Sequence, residues 1–257
     1  MGNSSQADGT TCVSRSFRFL ALLIFVVLGS WLCKSVFFSV YYIPSGSMSP
    51  TLKPGDYVLV SQFPYNLRSP EFYPFTGIPF PFVSADGLGK VNRGDIAVFD
   101  MPMYPAELHP NNKENYVKRI VGLPRDTMLI AGDRYFLQRT ISPADIQEAT
   151  ADLSRNSSTF AVGIPEQGSR LKCIDQTEVF WQSIVQRDGN ELSIDFTGRV
   201  LINGQPAEYY KAKQNYYFVR GDNSQLSSDS RSWGVVPERN LIGRAVVKLW
   251  PWPPEWL

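Results

Sequence analysis

The feature that most constrains this chain is an apolar stretch at residues 19–42, interrupted by one charged residue, Lys34. As an α-helix its 24 residues would be about 36 Å long, enough to cross a hydrocarbon layer of about 30 Å. Arg15 and Arg18 precede the stretch, which favours a cytoplasmic N-terminus. The stretch therefore predicts a single transmembrane anchor, with residues 1–18 in the cytoplasm.

A cleaved secretory signal is the alternative interpretation of this stretch. No convincing small-x-small cleavage pattern follows the apolar core, which continues into Val36, Phe37 and Phe38. An uncleaved anchor therefore explains the stretch better.

The rest of the chain has the composition of a turn-rich β protein. Aromatic residues make up 13% of the 257 residues and prolines number 19, which favours strands and turns over a helical bundle. Runs of β-branched and aromatic residues after turn signals predict strands at residues 56–60, 95–99, 116–121, 216–219 and 245–249. Residues 200–206 predict a hairpin with an Asn203-Gly204 turn. The formal net charge of +1 gives no reason to expect nucleic-acid binding.

The sequence becomes polar and mixed in charge between residues 131 and 194. This change predicts an inserted subdomain over residues 131–194, within a β domain made of residues 43–130 and 195–257. Two other segments, residues 63–82 and 250–256, are rich in aromatics and proline. For both, packing against the body and contact with a membrane surface stay open.

Histidine and cysteine are too scarce for most metal and disulfide sites. The chain has three cysteines and one histidine, so neither a disulfide framework in the body nor an HExxH zinc site is possible. His109 precedes Pro110 with no apolar strand to hold it, which is typical of a solvated loop residue rather than a catalytic base. We expect no metal and no cofactor.

Lys118 is the better candidate for a general base. In a strand, Tyr116, Lys118 and Ile120 share one face, while Arg119 lies on the other. Apolar neighbours would disfavour the charged amine and lower its pKa, and a neutral amine can accept a proton. A lysine that extends from an edge strand into solvent has the same pattern, so the spacing alone does not decide between the two interpretations.

A serine-rich turn, Pro44-Ser45-Gly46-Ser47-Met48, follows the apolar stretch almost without a linker. Clusters of Ser, Gly and Pro are usually ordinary loops. Here Gly46 would let backbone N–H groups near Ser47 point at one oxygen, and Ser45 could add a hydroxyl, which together would form an oxyanion hole. Its position next to the predicted anchor distinguishes this turn from other loops.

Four segments together resemble the conserved boxes of bacterial type I signal peptidases, in the family's order. They are SGSMxPTL at residues 45–52, RGDIxVF at 93–99, YVKRIVGLP at 116–124 and GDNxxxSxDSRxxG at 221–234. One such box would be weak, but four in order behind an apolar stretch are highly specific.

The resemblance implies a role for each matching position. The nucleophile would be Ser47 and the general base Lys118, with the Ser45 hydroxyl and the Ser47 N–H as the oxyanion hole. Ser227 would hydrogen-bond and orient the lysine. The site would be supported further by Asp222 and by an ion pair between Asp229 and Arg231. Shallow pockets for small substrate side chains would be lined by Tyr41, Ile43, Met48, Leu52, Tyr116 and Val117.

The resemblance also implies a mainly β fold, with an N-terminal transmembrane helix, a β-rich catalytic domain and an inserted β-rich cap. The activity would be that of a membrane-anchored serine endopeptidase, which removes signal peptides from exported preproteins after small residues at the −1 and −3 positions. The chain would cross the bacterial inner membrane once, with its catalytic domain on the extracytoplasmic side. Its partners would be the preproteins, the lipid bilayer and, by proximity, the translocation machinery, with no nucleic acid.

The sequence departs from the family pattern near the site. Arg125 stands where the family usually has glycine after Leu-Pro, so the turn there is expected to differ. Ser224 replaces the usual arginine after Gly-Asp-Asn, which removes a possible ion pair. Two rival functions remain: a specialised Ser/Lys maturation protease of the same clan, and a catalytically silent membrane-tethered β module that binds exported chains. Retention of Ser47, Lys118 and Ser227 disfavours the silent module.

Overall fold

The computed structural model of the chain describes residues 9–69, 73, 76–79, 81, 83–101, 115–131, 134–137, 159–173 and 181–257. Within these ranges the helices are α1 (Gly9–Phe37), α2 (Trp181–Arg187) and α3 (Ser230–Trp233), with short 3-10 helices at Gly46–Met48 and Glu238–Asn240. The rest is mainly β. The predicted fold class, an N-terminal apolar helix followed by a β-rich body, is confirmed.

Strands make up most of the described body. Those in the first half are β1 (Phe38–Tyr42), β2 (Tyr57–Ser61), β3 (Asn66–Arg68), β4 (Ser84–Asp86), β5 (Ile96–Asp100), β6 (Asn115–Gly122) and β7 (Thr127–Ala131). Those in the second half are β8 (Arg134–Leu137), β9 (Thr159–Gly163), β10 (Arg170–Lys172), β11 (Leu192–Ile194), β12 (Val200–Ile202), β13 (Gln205–Pro206), β14 (Tyr209–Lys211), β15 (Tyr216–Arg220), β16 (Val236–Pro237), β17 (Leu241–Trp250) and β18 (Glu255–Trp256).

The apolar stretch begins as a helix but ends as a strand. The 21 residues of Phe17–Phe37 are long and apolar enough to cross a membrane, and none of their most apolar 18-residue window is buried. Among the described residues, only the end of the helix contacts the body, where the Phe37 ring lies 6.1 Å from that of Phe63. Residues 38–42 form β1 and pair antiparallel with β2, so the prediction of a helix as far as Tyr42 was wrong. In this segment Phe38, Val40 and Tyr42 alternate with two other side chains, and aromatic and β-branched residues suit a pleated surface.

One antiparallel sheet organises the body. Its strand order is β1-β2-β17-β5-β6-β15-β16, and β18 pairs with β17. The five predicted strands correspond to β2, β5, β6, β15 and β17. Four of them agree to within one residue at each end, whereas β17 begins four residues before the predicted start. The predicted hairpin turn is also confirmed, because Asn203 and Gly204 have φ of 50° and 75°, as a type I′ turn requires.

The central strand β5 separates two apolar clusters. Ile96 and Val98 pack in one cluster, which also contains Met48 from the serine turn. Ala97 and Phe99 pack in the other. This division follows from the alternation of side chains along a strand. Since Met48 belongs to the first cluster, the core itself holds the serine turn against the sheet.

A third apolar cluster crosses the boundaries predicted for the inserted subdomain. It joins Trp181 and Ile184 of α2 to Met128 of β7 and Phe218 of β15. In addition, β10 inside the predicted insertion pairs with β14 outside it. The described part of the insertion therefore shares its core with the body.

The two segments rich in aromatics and proline are only partly described. β3 and β4 pair as a hairpin around residues 69–83. At the C-terminus β18 pairs with β17, so the backbone of this segment does pack against the body. The side chains of its three tryptophans nevertheless face solvent: Trp250, Trp252 and Trp256. Membrane contact by the indoles stays a prediction.

Candidate active site

The serine turn is one short 3-10 turn. Ser45 is extended, with φ −128° and ψ 159°, and the chain then turns through Gly46–Met48. The Ser49 N–H closes the turn by donating to the Gly46 carbonyl at 3.1 Å. Met48 is buried in the core, and Ser47 next to it is also buried, with 8% of its area exposed.

Lys118 reaches the serine turn from β6. Its Nζ donates a hydrogen bond to Ser47 Oγ at 2.6 Å. Only 3% of Lys118 is exposed, whereas its neighbour Arg119 is half-buried. Strand β6 lies inside the sheet, between β5 and β15, and Lys118 pairs with Ala97. The lysine is therefore buried, and the alternative of a solvated lysine on an edge strand is wrong.

Burial changes the basicity of this amine. Removal from water disfavours the charged form and lowers the pKa of Lys118 from 10.5 to about 8, although the carboxylates of Asp229 and Asp222 oppose the change. An amine with such a pKa is neutral in a sizeable fraction of molecules at mildly alkaline pH. It can then accept the proton of the Ser47 hydroxyl.

Ser45 shares the space in front of the nucleophile. Its Oγ lies 3.5 Å from Ser47 Oγ, at the outer limit of a hydrogen bond. A donor at this position is near the point where a carbonyl oxygen would gain charge during attack by Ser47. The oxyanion hole of Ser45 Oγ and Ser47 N–H stays a prediction.

The segment after β15 packs directly on the serine turn. The Asn223 N–H donates to the Ser47 carbonyl at 3.0 Å. A Cβ at Gly221 would lie 2.2 Å from Ser227 Oγ and 2.5 Å from the Ser47 carbonyl oxygen. Only glycine permits this approach of the two backbones, which explains why a glycine opens the fourth box.

The ion pair expected between Asp229 and Arg231 is present. Arg231 Nε donates to Asp229 Oδ1 at 2.9 Å, and the Gly221 N–H donates to Oδ2 at 3.1 Å. Asp229 also caps the N-terminus of α3 by accepting from the Arg231 N–H. Burial acts to raise the pKa of Asp229, but the hydrogen bonds from Arg231 and Gly221 outweigh it and lower that pKa. Asp229 thus links α3 to the segment over Ser47.

Asp222 has partners that the sequence did not indicate. Arg119 donates to both carboxylate oxygens, at 2.8 and 2.6 Å, and Thr51 Oγ1 donates to Oδ2 at 2.6 Å. The three residues join β6, the loop after the serine turn and the segment after β15. The only sequence feature that pointed to Arg119 and Thr51 is that both lie inside boxes resembling the family's. They are 103 and 171 residues away from Asp222, so no local sequence pattern could predict their hydrogen bonds to it.

Ser227 departs from its expected role. Its Oγ is buried and has no hydrogen-bond partner among the described residues, so the predicted bond to Lys118 is absent. The hydroxyl lies 2.2 Å from the position that a Cβ at Gly221 would take, and the amine of Lys118 donates to Ser47.

The two departures from the family pattern have different consequences. Arg125 has φ of 70°, the left-handed region that glycine favours, so the backbone keeps a conformation suited to glycine despite the arginine. Ser224 contacts two charged side chains. Its Oγ accepts from Arg220 at 2.6 Å, and its carbonyl accepts from Arg231 at 2.8 Å. The serine therefore still takes part in a polar network at this position.

The residues predicted to line substrate pockets fall into two sets. Three are fully buried and form the core beneath the serine turn: Ile43, Met48 and Leu52. For these three, contact with substrate stays a prediction. The other three are half-buried and stay candidates for substrate contact: Tyr41, Tyr116 and Val117.

His109 lies outside the described residues. Within the described ranges, no three side chains of His, Cys, Asp or Glu are grouped closely enough to hold a metal ion.

Known proteins with similar sequences are signal peptidases. The family model described as signal peptidase, peptidase S26, matches residues 16–250. A signal peptidase I of Buchnera aphidicola subsp. Schizaphis graminum is 30% identical over 95% of this chain and 76% of its own length. That of Pseudomonas aeruginosa is 30% identical over 91% and 71%, respectively. A crystal structure of a signal peptidase I from Enterococcus faecalis V583 covers 62% of this chain and 100% of its own at 20% identity, but its TM-score of 0.30 is too low to support an argument about the fold.

Proposed function

We propose a mechanism for this chain, which belongs to the signal peptidase family (peptidase S26) and is a signal-peptide-cleaving enzyme. In this mechanism Ser47 is the nucleophile and Lys118 is the general base. The observation that carries the proposal is the 2.6 Å hydrogen bond between Lys118 Nζ and Ser47 Oγ, formed between two buried residues. A serine hydroxyl needs a neighbouring base to become nucleophilic, and the buried amine can serve as one.

The reaction would proceed through an acyl-enzyme. Neutral Lys118 accepts the Ser47 proton while Oγ attacks the scissile carbonyl carbon, and the resulting oxyanion is held by Ser45 Oγ and the Ser47 N–H. The intermediate collapses to an ester as Lys118 returns the proton to the leaving amine of the mature chain. Lys118 then takes a proton from water, whose oxygen attacks the ester. Collapse of this second intermediate restores the Ser47 hydroxyl and releases the signal peptide with a free carboxylate.

Three further groups would hold this arrangement without reacting. Asp222 would lock the strand of Lys118 to the loop after Ser47, and Asp229 with Arg231 would hold α3 and the segment over Ser47. Ser227 would supply a hydroxyl beside the same segment. The carboxylates of Asp222 and Asp229 also favour the charged form of Lys118, so they would stabilise the protonated amine that forms during attack.

The substrates would be exported preproteins, cut after small residues at −1 and −3. α1 would anchor the chain in the bacterial inner membrane, with residues 1–18 in the cytoplasm, the body on the extracytoplasmic side and the translocation machinery nearby. Arg15 and Arg18 support this orientation. Strand β1 lies between the helix and the serine turn and has a length of about 17 Å. A rigid strand in the sheet, rather than a short linker, would therefore set the depth of Ser47 relative to the bilayer.

The test uses the full chain purified in detergent and a set of preproteins whose products are sequenced from their N-termini. Ser47→Ala and Lys118→Ala should each abolish processing without loss of the fold. Ser49→Ala, in the same turn, and Lys211→Ala, on an exposed strand position, are matched controls that should stay active. Full processing by either of the first two variants would refute the assignment. Substitution of the small −1 residue of a preprotein by leucine should also stop its cleavage by the wild-type enzyme.

A further inference from the structure

The guanidinium of Arg187 is buried but has no part in the proposed reaction. Arg187 is the last residue of α2, inside the predicted insertion, and 9% of it is exposed. Its Nη1 donates to the Val235 carbonyl and its Nη2 to the Trp233 carbonyl. The guanidinium also lies 6.0 Å from the centre of the Trp233 ring. A single side chain from the insertion thus contacts both the backbone and the ring at the end of α3.

Ring contacts lead from Trp233 to the amine of Lys118. The Trp233 and Phe99 ring centroids are 6.1 Å apart, and those of Phe99 and Tyr116 are 6.3 Å apart. Lys118 Nζ lies 5.9 Å from the centroid of the Tyr116 ring. Aromatic pairs at such distances attract each other, and a cation is attracted to a ring face. All three rings belong to one apolar cluster, and a close-packed interior transmits a displacement from one member to the next.

The helix α3 is a second connection between Arg187 and the amine. It has four residues, with Trp233 at one end and its cap Asp229 at the other. The charged groups that act on Lys118 are Asp229 and Asp222, which are themselves paired with Arg231 and Arg119. In so short a helix, movement at Trp233 would also move Asp229.

We propose that Arg187 is a positioning residue for Lys118, because by fixing Trp233 it holds the aromatic stack and α3 against the amine. The proposal rests on the assignment of Lys118 as general base. It assigns a role to the inserted segment, which supports the site from behind. Arginine suits this role because its planar guanidinium donates to two carbonyls while it stacks over a ring, and a lysine amine lacks this fixed planar arrangement of donors.

Loss of Arg187 should show in the pH dependence of the enzyme. If Trp233 loosens, water can reach the region beneath the amine. Burial is the largest influence on the pKa of Lys118, so hydration should raise that pKa from about 8 toward 10.5. Movement of Asp229 away from the amine acts in the opposite sense but is the smaller influence. We expect the acid limb of kcat/KM to move up by about one pH unit, which is about a tenfold loss at pH 7 with little change on the alkaline plateau.

The experiment compares Arg187→Met with Arg170→Met in the full chain, using a preprotein substrate over a range of pH. Arg170 is a matched control, since it also lies in the predicted insertion and over an aromatic ring, that of Tyr209 at 4.8 Å, but on an exposed strand. Arg187→Lys should give a smaller shift than Arg187→Met. In the double variant with Trp233→Phe, the shift should not exceed the larger of the two single shifts, because both changes act on the same contact.

A folded Arg187→Met protein with the wild-type acid limb would overturn the proposal, as would an equal shift in Arg170→Met. If Arg187→Met does not fold, Arg187→Lys and Trp233→Phe decide the question, and an unmoved acid limb in both would reject it. Failure of the proposed function is distinguishable from these outcomes. Activity retained in Lys118→Ala would refute the general base itself, whatever the Arg187 variants do.

Discussion

Replacement of Lys118 by methionine should inactivate the protein and also make it more stable at neutral pH. Below about pH 8 the amine is charged in both the folded and the unfolded chain, and burial of that charge opposes folding. The difference between a pKa of 10.5 and one of about 8 corresponds to roughly 3 kcal/mol. Loss of the hydrogen bond to Ser47 offsets about 1 kcal/mol of this. Since methionine fills a similar volume, we expect a net gain of about 2 kcal/mol at pH 7.

The sign of the pH dependence follows from proton binding. Between pH 8 and 10.5 the unfolded wild-type chain binds more protons than the folded one, so wild-type stability rises with pH in this range. The methionine variant lacks this group. Its advantage should therefore be largest near pH 7 and should shrink as the pH approaches 10.5.

The assay is urea unfolding of the full chain in mild detergent at pH 7 and pH 10, followed by the fluorescence of its six tryptophans. Lys211→Met, at an exposed position of β14, is the control for removal of a strand lysine without burial. It should change the unfolding midpoint little at either pH. A Lys118→Met protein no more stable than wild type at pH 7, or an advantage of the same size at pH 10, would refute the reasoning.

Two other substitutions test the packing around the serine turn, and a third, in a remote hairpin, is their control. Asp222→Asn should lower kcat about tenfold with little change in KM, because it weakens the link between Arg119 and Thr51, and an unchanged kcat would contradict this. Burial acts to raise the pKa of Asp222, yet the hydrogen bonds from Arg119 and Thr51 lower that pKa overall. The stability that the carboxylate contributes should therefore decline as the pH falls toward the lowered pKa. Acid unfolding of the wild-type and Asp222→Asn proteins would show this decline. Gly221→Ala should reduce processing at least tenfold and cost roughly 1–3 kcal/mol, measured by preprotein cleavage and urea unfolding, because its Cβ would clash with the Ser47 carbonyl. Gly204→Ala should lower the free energy of unfolding by about 1 kcal/mol, because Gly204 has a φ of 75°. Preprotein cleavage should stay unchanged, since this hairpin turn is remote from the site. An equal loss of activity in both glycine variants would argue against a specific role for Gly221.

Features governed by neighbouring residues were predictable from the sequence. The runs in β2, β5 and β6 are local alternations bounded by turns, and the Asn203-Gly204 turn depends only on the two residues that adopt positive φ. Ser47 and Lys118 were identified by the resemblance of their surrounding boxes. The alternation along β6 placed Lys118 and Arg119 on opposite faces, but the burial of Lys118 was left open by the sequence and is a finding of the structure.

The end of α1 shows where local patterns fail. Residues 38–42 continue the apolar run, so composition alone extended the helix through them. Their state is decided by hydrogen bonds to β2, which lies beyond the serine turn. Strand pairing depends on which segment is available in space, and a window of sequence does not contain that information.

The amino-acid sequence by itself determined an apolar helix, a β-rich body, and the serine and lysine of the proposed site, since these depend on composition, short periodicities and a family pattern. Only the tertiary structure decided that Lys118 lies 2.6 Å from Ser47, that Asp222 pairs with Arg119, and that Arg187 of the insertion reaches Trp233. Ser227, in contrast, makes no hydrogen bond to the lysine. The physical reason is that burial, pKa and ion pairing arise from groups far apart along the chain, and packing of the whole sheet brings them together.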